Sequence, residues 1–186
     1  MNDQEDNMEK YNLDQITDNI RVIEGFPTPD ISFKDITTLI KDKDLYKQTV
    51  DMMCDALDFT PDIIAGPEAR GFLFGTAMAY KLGAGFVPIR KPGKLPGETV
   101  QASYALEYGT DTVEMHKDAI NKGDKVLLCD DLIATGGTIL ACAKMIEELG
   151  GEVCGIMALI ELEDLPGRKM IEDAGYKLYT FVKYAH

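Results

Sequence analysis

The chain has 186 residues, of which 45% are hydrophobic and 27% are charged. This length and balance fit one globular domain with a substantial core, and they exclude disordered and fibrous proteins. The 32 acidic residues outnumber the 19 basic ones, and the resulting net charge of -13 disfavours a nucleic-acid partner or an anionic membrane surface.

The sequence shows neither the pattern of a targeting peptide nor that of a membrane-spanning segment. Its first ten residues are acidic and polar, without the basic start and apolar stretch of a signal peptide. The longest apolar run, from Val153 to Ile160, is far shorter than the roughly 20 residues that span a bilayer. We therefore expect a soluble, cytoplasmic protein that does not bind a membrane.

Apolar residues at helical spacing predict two helices in the N-terminal third of the chain, at 12–23 and 42–57. Gly25, Pro27 and Pro29 end the first helix, and Asp42 can cap the second. Apolar strands and helices then alternate. The predicted strands are 63–65, 86–89, 125–129, 153–160 and 176–184, and the predicted helices are 71–82, 138–149 and 167–174. This order indicates an α/β fold with a mainly parallel central sheet flanked by helices.

Two segments interrupt the alternation. Residues 90–103 contain two prolines, two glycines and three basic side chains, which predicts a long mobile loop with a function. Residues 104–108 and 112–116 alternate around Gly109 and Thr110, which predicts a β-hairpin that returns from that loop.

The cysteines and histidines predict no metal site. Four cysteines contain no CxxC pair, and the chain has only two histidines. No zinc-site spacing can be assembled from them, and we expect reduced, mostly buried thiols. The cysteines are Cys54, Cys129, Cys142 and Cys154.

The segment from 126 to 138 predicts a phosphate site. It joins a buried strand, two acids and a loop of glycine and threonine that opens a helix, and parallel sheets bind ligands at such strand ends. Glycines let backbone N–H groups approach an anion, and threonine hydroxyls can donate to it. The predicted phosphate ligands are Ala134, Thr135, Gly136, Gly137 and Thr138.

Asp130 and Asp131 precede that loop and would repel a phosphate that touched them. Carboxylates accept hydrogen bonds from vicinal sugar hydroxyls, directly or through Mg²⁺, so the predicted ligand is a phosphorylated ribose. The alternative is a strand that ends in two solvated acids. The absence of GxxxxGK[ST] excludes a P-loop NTPase.

The run LLCDDLIATGGT resembles the phosphoribosyl pyrophosphate signature of the type I phosphoribosyltransferase family. Four further segments resemble adenine-using members of that family, in the same order: FPTP at 26–29, ARGFLFG at 69–75, IRKPGKLPG at 89–97 and SYALEYG at 103–109. The resemblance covers about residues 12 to 184. It implies the type I phosphoribosyltransferase fold in a single domain over 1–186, with a mobile hairpin lid at 90–116, a small N-terminal hood and flexible residues at about 1–11.

The same resemblance implies a homodimer, a Mg²⁺ cofactor and the transfer of phosphoribosyl from phosphoribosyl pyrophosphate to adenine, giving AMP and pyrophosphate in purine salvage. Arg70 begins a helix beside the predicted phosphate site, and its guanidinium fork suits pyrophosphate oxygens. The family often holds this turn in a non-proline cis peptide, which here would join Glu68 to Ala69. A surface arginine that pairs with acids is the alternative.

Arg90, Lys91 and Lys94 reverse the sign of charge locally in an acidic chain, which favours an anionic ligand over a solvated basic loop. A closing lid would exclude water from the sugar cation that develops as pyrophosphate leaves. The resemblance assigns Glu107 a catalytic proton-sharing role at the purine, with Tyr108 beside it on the closing segment; a solvent-facing glutamate is the alternative.

Adenine recognition is expected in the segment of Ser32, Phe33 and Lys34. A purine could stack on Phe33 while backbone groups of its neighbours read the base edge, although a core phenylalanine is equally consistent with the sequence. Two other functions stay open. One is transfer to hypoxanthine, guanine or xanthine, and the other is a non-catalytic regulator that senses phosphoribosyl pyrophosphate. The latter is disfavoured because the chain contains no basic DNA-recognition helix.

Overall fold

A computed structural model describes residues 10–105 and 110–185. The helices are α1 Leu13–Asp18, α2 Thr37–Ile40, α3 Lys43–Asp55, α4 Arg70–Leu82, α5 Gly137–Glu148 and α6 Gly167–Asp173. The strands are β1 Arg21–Glu24, β2 Ser32–Asp35, β3 Ile63–Pro67, β4 Gly85–Ile89, β5 Thr99–Ala105, β6 Thr110–His116, β7 Lys125–Ile133, β8 Glu152–Leu162, β9 Leu178–Tyr179 and β10 Val182–Tyr184.

The central sheet has the strand order β10-β8-β7-β3-β4, and β9 also pairs with β8. All of these pairs are parallel, which confirms the predicted sheet. Ile64 on β3 lies between Phe86 on β4 and Leu127 on β7. The carboxyl ends of β3 and β7 therefore meet at one edge of the sheet.

Both faces of this sheet are buried, which explains why its strands read as continuous apolar runs. Along β7, Leu127 and Cys129 join a core that residues of α1 to α4 complete. The alternate residues Val126 and Leu128 join a second core, which contains residues of α5, α6 and the β5–β6 hairpin. The helices thus flank the sheet on two sides.

The predicted helix at 12–23 is wrong beyond Asp18, because Arg21–Glu24 forms β1 and pairs antiparallel with β2. Asn12 caps α1 by accepting a hydrogen bond from the Gln15 N–H, as an N-cap should. The residues that follow α1 form a strand because Arg21 pairs with Asp35 across the β1–β2 ladder. The apolar spacing alone could not show this distant partner.

Three other boundaries differ from prediction. β7 continues to Ile133, because β8 extends the ladder beyond the apolar run and pairs Ile133 with Glu161. The predicted last strand is two short strands, β9 and β10, which pair with different parts of β8. The predicted loop at 90–103 ends early, since β5 begins at Thr99.

Other predictions are confirmed. Asp42 caps α3 by accepting hydrogen bonds from two backbone N–H groups. β5 and β6 form an antiparallel hairpin as predicted, but the first strand begins at Thr99 rather than at Tyr104, and residues 106–109 lie outside the described residues. The four cysteines are free thiols, three of them buried, and burial raises the pKa of Cys54 to about 11. Over 10–105 and 110–185, no helix combines the length and the apolar character that crossing a bilayer requires.

Candidate functional site

A cleft of about 290 Å³ lies where the carboxyl ends of β3 and β7 meet the first turns of α4 and α5. It is the position at which open parallel sheets bind ligands. Eight residues that the sequence singled out line this cleft: Arg70, Lys91, Asp130, Asp131, Ala134, Thr135, Gly136 and Thr138. Six of them lie between Asp130 and Thr138, while Arg70 and Lys91 come from two distant parts of the chain that the fold brings to the same cleft.

The loop between β7 and α5 presents the start of a helix to the cleft. Gly136 adopts a left-handed conformation with a φ of 84°, and no described side chain caps α5. Leu140 donates to the Gly136 carbonyl, so the N–H groups of the first turn have no partner inside the helix. Free N–H groups and the positive end of the helix dipole favour an anion at this point.

The two acids differ in their surroundings. Asp131 is 2% exposed, and its Oδ2 lies 3.1 Å from Nε of Arg70. Asp130 is less buried, and its Oδ1 accepts the Asp131 backbone N–H at 2.8 Å. Burial and the neighbouring charge of Asp131 raise the pKa of Asp130 well above its usual value. Burial also raises the pKa of Asp131, while the Arg70 guanidinium opposes that shift.

The Asp131 carboxylate lacks a hydrogen-bond partner for one of its oxygens among the described residues. Its Oδ2 is buried and has no partner that meets hydrogen-bond geometry, although the Arg70 guanidinium lies close to it. A buried oxygen of this kind is a ready acceptor for a ligand hydroxyl or a cation. The arrangement therefore suits a ligand that brings a hydroxyl donor or a bound cation to Asp131.

Arg70 connects the acids with β2, the strand that carries Phe33. Its guanidinium lies 5.0 Å from the centre of the Phe33 ring, which is a cation–π contact. The peptide bond between Glu68 and Ala69 is cis, as the family resemblance implied. Gly71 allows the first turn of α4 to approach β7, because a Cβ there would lie 2.8 Å from the Cys129 carbonyl oxygen.

The basic loop after β4 is held by acidic partners. Glu68 accepts hydrogen bonds from Nε of Arg90 and from the Lys91 backbone N–H, both at 2.8 Å. Lys91 forms an ion pair with Asp111 and lies 3.4 Å from the Tyr104 hydroxyl. The hydrogen bond from Lys91 lowers the pKa of Asp111. Lys91 borders the cleft, whereas Arg90 and Lys94 are not among the residues that line it.

Glu114 organises this loop, although no motif in the sequence marks it as a functional residue. Its side chain is 2% exposed and accepts hydrogen bonds at 3.1 Å from the backbone N–H groups of Lys94 and Leu95 and from Gln101. Burial opposes the charged form, but these donors prevail and lower the pKa of Glu114. The only signal in the sequence was an acid between the apolar residues Val113 and Met115 on a predicted strand.

Replacing Glu114 by alanine should loosen the basic loop, because several N–H donors would lose their shared acceptor. We expect faster tryptic cleavage after Lys94 in Glu114→Ala, with Glu114→Gln intermediate because its amide oxygen can still accept. Glu98→Ala, which alters an exposed glutamate of the same region, is the control. Equal cleavage rates in all variants would contradict the role of Glu114.

The segment predicted to recognise the base lies beside the cleft rather than on its wall. Phe33 is half-buried and packs edge-on against Phe26 with ring centres 5.3 Å apart. Lys34 is buried and donates to the Ser32 hydroxyl at 2.7 Å. Phe33 therefore reaches the site through its contact with Arg70.

The remaining predicted residues divide into two groups. Gly137 begins α5 next to the lining residues. Glu107 and Tyr108 lie outside the described residues. Tyr104, which sequence analysis did not select, lines the cleft and donates to Asp111 at 3.0 Å. The sequence offered one signal for Tyr104: it is an aromatic residue on the predicted hairpin, inside the SYALEYG run.

Comparisons with known proteins identify the family to which the chain belongs. Residues 33–182 match the model of the phosphoribosyl transferase domain. The chain is 60% identical over 166 residues to an adenine phosphoribosyltransferase of Alkaliphilus metalliredigens, which covers 89% of this chain and 96% of that protein. It resembles the crystal structure of the enzyme of that name from Thermoanaerobacter pseudethanolicus, with a TM-score of 0.90 and 51% identity over 93% of this chain and 100% of that one.

A third relative was crystallised with a base. It is the adenine phosphoribosyltransferase of Saccharomyces cerevisiae, in complex with an imino-altritol bisphosphate and adenine. The similarity has a TM-score of 0.84 and 35% identity, and it covers 91% of this chain and 97% of that one. Together with the matched domain, these similarities show that the chain belongs to the phosphoribosyltransferase family.

Proposed function

We propose that the chain transfers the 5-phosphoribosyl group of phosphoribosyl pyrophosphate to adenine, giving AMP and pyrophosphate. One observation carries the proposal: an uncapped helix start and two acids share one cleft, and Arg70 lies 3.1 Å from the more buried acid. The relatives named above, which are called adenine phosphoribosyltransferases, support adenine as the base.

The phosphate loop would bind the 5-phosphate of the sugar. Backbone N–H groups at the start of α5 would donate to its oxygens, and Thr135 and Thr138 would add hydroxyl donors. Gly136 and Gly137 keep side chains away from this approach, and Ala134 begins the loop. Together these residues would hold one end of the substrate while the anomeric carbon lies near the acids.

Asp130 and Asp131 would accept hydrogen bonds from the ribose hydroxyls, directly or through Mg²⁺. Carboxylate oxygens suit this ion, and the unsatisfied Oδ2 of Asp131 fits such a contact. In the described ranges no group of three or more histidine, cysteine or acidic residues could hold a metal, so substrate oxygens would complete its coordination. Bound there, Mg²⁺ would offset the negative charge of the diphosphate.

Arg70 and Lys91 would contact the pyrophosphate, since both border the cleft and are positively charged. Lys94 follows in the same loop and would approach as the lid closes. Arg90 would act nearby, where it fixes Glu68 and with it the backbone of Lys91. Closure of this loop would exclude water from the reacting carbon.

In the reaction, the bond from the anomeric carbon to the pyrophosphate oxygen breaks, and its electron pair leaves with pyrophosphate. The N9–H bond of adenine breaks, its electron pair forms the new bond to that carbon, and the proton passes to water or to the departing pyrophosphate. Glu107 would share a proton at the imidazole side of the purine, with Tyr108 beside it. Phe33 would stack on the base, and backbone groups of Ser32 and Lys34 would read its edge.

Product formation from a panel of bases tests this function. With phosphoribosyl pyrophosphate and Mg²⁺, we expect AMP from adenine and at least about a hundredfold lower efficiency with hypoxanthine or guanine, because a 6-oxo group reverses the hydrogen-bonding pattern of the base edge. If the protein turned over a 6-oxopurine faster than adenine, the proposed base would be wrong. Binding of phosphoribosyl pyrophosphate without turnover of any base would favour the regulator instead.

The homodimer, the Mg²⁺ requirement and the cytoplasmic location are also part of this proposal, and they are supported by the family resemblance and by the composition. Sedimentation equilibrium tests the dimer directly. A mass of one chain across the micromolar range would contradict it.

A further inference from the structure

We propose that Gly167 is a positioning residue for the phosphate loop, residues 134–138. Its backbone N–H would hold the Ala134 carbonyl away from the bound phosphate, so that the loop presents N–H groups to the anion. The inference rests on the proposed function of that loop. It assigns a role to the start of α6, a segment that no predicted site residue occupies.

Gly167 meets the loop through its backbone. Its N–H donates to the Ala134 carbonyl oxygen with an N···O distance of 3.1 Å. A Cβ at this position would lie 2.2 Å from that oxygen and 2.7 Å from Cγ2 of Ile133. No other amino acid fits here unless the loop moves, because the nearest obstacle is backbone rather than a flexible side chain.

The contact is tight from the opposite side as well. A Cβ at Gly136 would lie 3.3 Å from both the Cα and the carbonyl oxygen of Gly167. Gly136 also needs glycine for its φ of 84°. Two glycines therefore pack backbone against backbone, and the position of α6 determines where the turn of the phosphate loop can lie.

This packing has an electrostatic consequence. A backbone carbonyl that pointed at a phosphate would repel it, and a buried carbonyl without a donor would be costly. The N–H of Gly167 satisfies the Ala134 carbonyl at the back of the loop. The N–H groups at the start of α5 can then converge on the anion without a competing acceptor.

An ion pair between Arg168 and a buried glutamate anchors the start of α6 to the sheet, although the Arg168 side chain is itself 34% exposed. Arg168, the neighbour of Gly167, donates from Nε to Oε1 of Glu161 at 2.7 Å, and Glu161 is 3% exposed. Thr180 donates to the same carboxylate at 2.6 Å. Glu161 lies on β8 directly opposite Ile133, the last residue of β7 before the loop. The support and the loop are thus tied to adjacent strands in fixed register.

The variant Gly167→Ala tests the inference through the affinities for AMP and adenosine, measured by calorimetry. The ratio of these affinities isolates the 5-phosphate, since the two ligands share the base and the ribose. We expect this ratio to fall about tenfold or more in Gly167→Ala, the scale of one lost hydrogen bond to a charged group. Adenosine affinity should stay within about twofold of the wild-type value, a change well below one such bond.

Gly151→Ala is the matched control. A Cβ there would lie 2.6 Å from Ile120 Cγ2 and 2.9 Å from Ile146 Cγ2, at the opposite end of α5 from the loop. Both variants should lower thermal stability, because each places a Cβ against neighbouring atoms, but Gly151→Ala should keep the wild-type preference for AMP. An unchanged preference in Gly167→Ala, or an equal loss in both variants, would overturn the inference.

Arg168→Lys adds no atom to the contact and decides the question if Gly167→Ala does not fold. It removes the bidentate pairing with Glu161, so we expect the same change in the AMP preference with a smaller amplitude. An unchanged preference in Arg168→Lys would then overturn the inference. A wild-type protein that binds adenosine as tightly as AMP would instead refute the proposed function of the loop, and the role of Gly167 would fail with it.

Discussion

Asp130→Asn should lose most of its catalytic efficiency and yet unfold at a higher temperature than the wild-type protein. Asparagine cannot offer a charged acceptor to the ribose hydroxyls or to Mg²⁺. Because hydrogen bonds to charged groups contribute about 1.5–3 kcal/mol each, we expect kcat/KM for phosphoribosyl pyrophosphate to fall about a hundredfold. The free protein should gain stability because the variant removes a carboxylate whose charge is unfavourable in the empty cleft.

The direction of the stability change follows from the pKa of Asp130. Burial and the charge of Asp131 raise this pKa in the folded state well above the value of an unfolded aspartate. Between these two pKa values the folded state binds more protons, so the wild-type stability falls as pH rises through that window. At pH values above this window Asp130 is ionised in the folded state, and its charge lowers the free energy of unfolding by the full amount. Asp130→Asn removes this charge, and the difference in stability between variant and wild type should grow with pH.

Thermal unfolding at several pH values, without ligand, measures this effect. A gain of 1 kcal/mol corresponds to about 2–4 °C in Tm for a domain of this size. Asp131→Asn is the control, since Asp131 lies 3.1 Å from Arg70 and its replacement also removes that ion pair. It should lose activity without the same gain in Tm. A Tm of Asp130→Asn at or below the wild-type value at pH 8 would contradict the argument.

The sheet was predictable from the sequence, because burial on both faces leaves a direct trace in the chain. The centres of β7 and β8 read as apolar runs, 126–129 and 153–160, and the helix α5 between them shows the spacing of one buried face. β1 was not predictable in this way. Ile20 and Ile23 continue the helical spacing of α1, and only the pairing of Arg21 with Asp35 from a distant segment makes this stretch a strand.

The site residues also fall into those that the sequence pattern indicates and those that depend on distant partners. That the acids and the loop after them share one cleft could be predicted, because they are contiguous and follow a buried strand. The contacts of Glu114 and Gly167 could not, because they depend on partners that only the folded chain brings near: the backbone of Lys94 for one and the carbonyl of Ala134 for the other. A buried acid on a strand and a glycine before a helix are ordinary features until those partners are known.

Arg70 should influence the acid side of the pH profile through Asp131. Burial raises the pKa of Asp131, and the positive charge of Arg70 opposes that shift. Arg70→Gln removes the charge, so the pKa of Asp131 should rise further. If the reaction needs this carboxylate ionised, kcat/KM in Arg70→Gln should begin to fall at a higher pH than in the wild type as the solution is acidified.

The variant Arg70→Lys distinguishes the effect of the positive charge from that of the two parallel donors of the guanidinium group. It keeps a cation near Asp131 but cannot donate two parallel hydrogen bonds to pyrophosphate. We expect kcat/KM to fall about a hundredfold in both variants, by the loss of about 3 kcal/mol of charged hydrogen bonding. Only Arg70→Gln should move the acid limb of the profile. The pair of variants therefore distinguishes binding of the leaving group from control of the Asp131 charge.

Arg21→Gln provides the remote control, because Arg21 also pairs with an aspartate, Asp35, but belongs to the β1–β2 ladder. Its pH profile should match that of the wild type. The pH profiles of the three variants are compared with that of the wild type, with saturating adenine and varied phosphoribosyl pyrophosphate. This comparison shows whether Arg70 controls the ionisation of Asp131. An acid limb that moves equally in Arg70→Lys and Arg70→Gln would show that the geometry of the fork, rather than its charge, governs Asp131. An unmoved limb in both would remove Asp131 from the ionisations that limit the reaction.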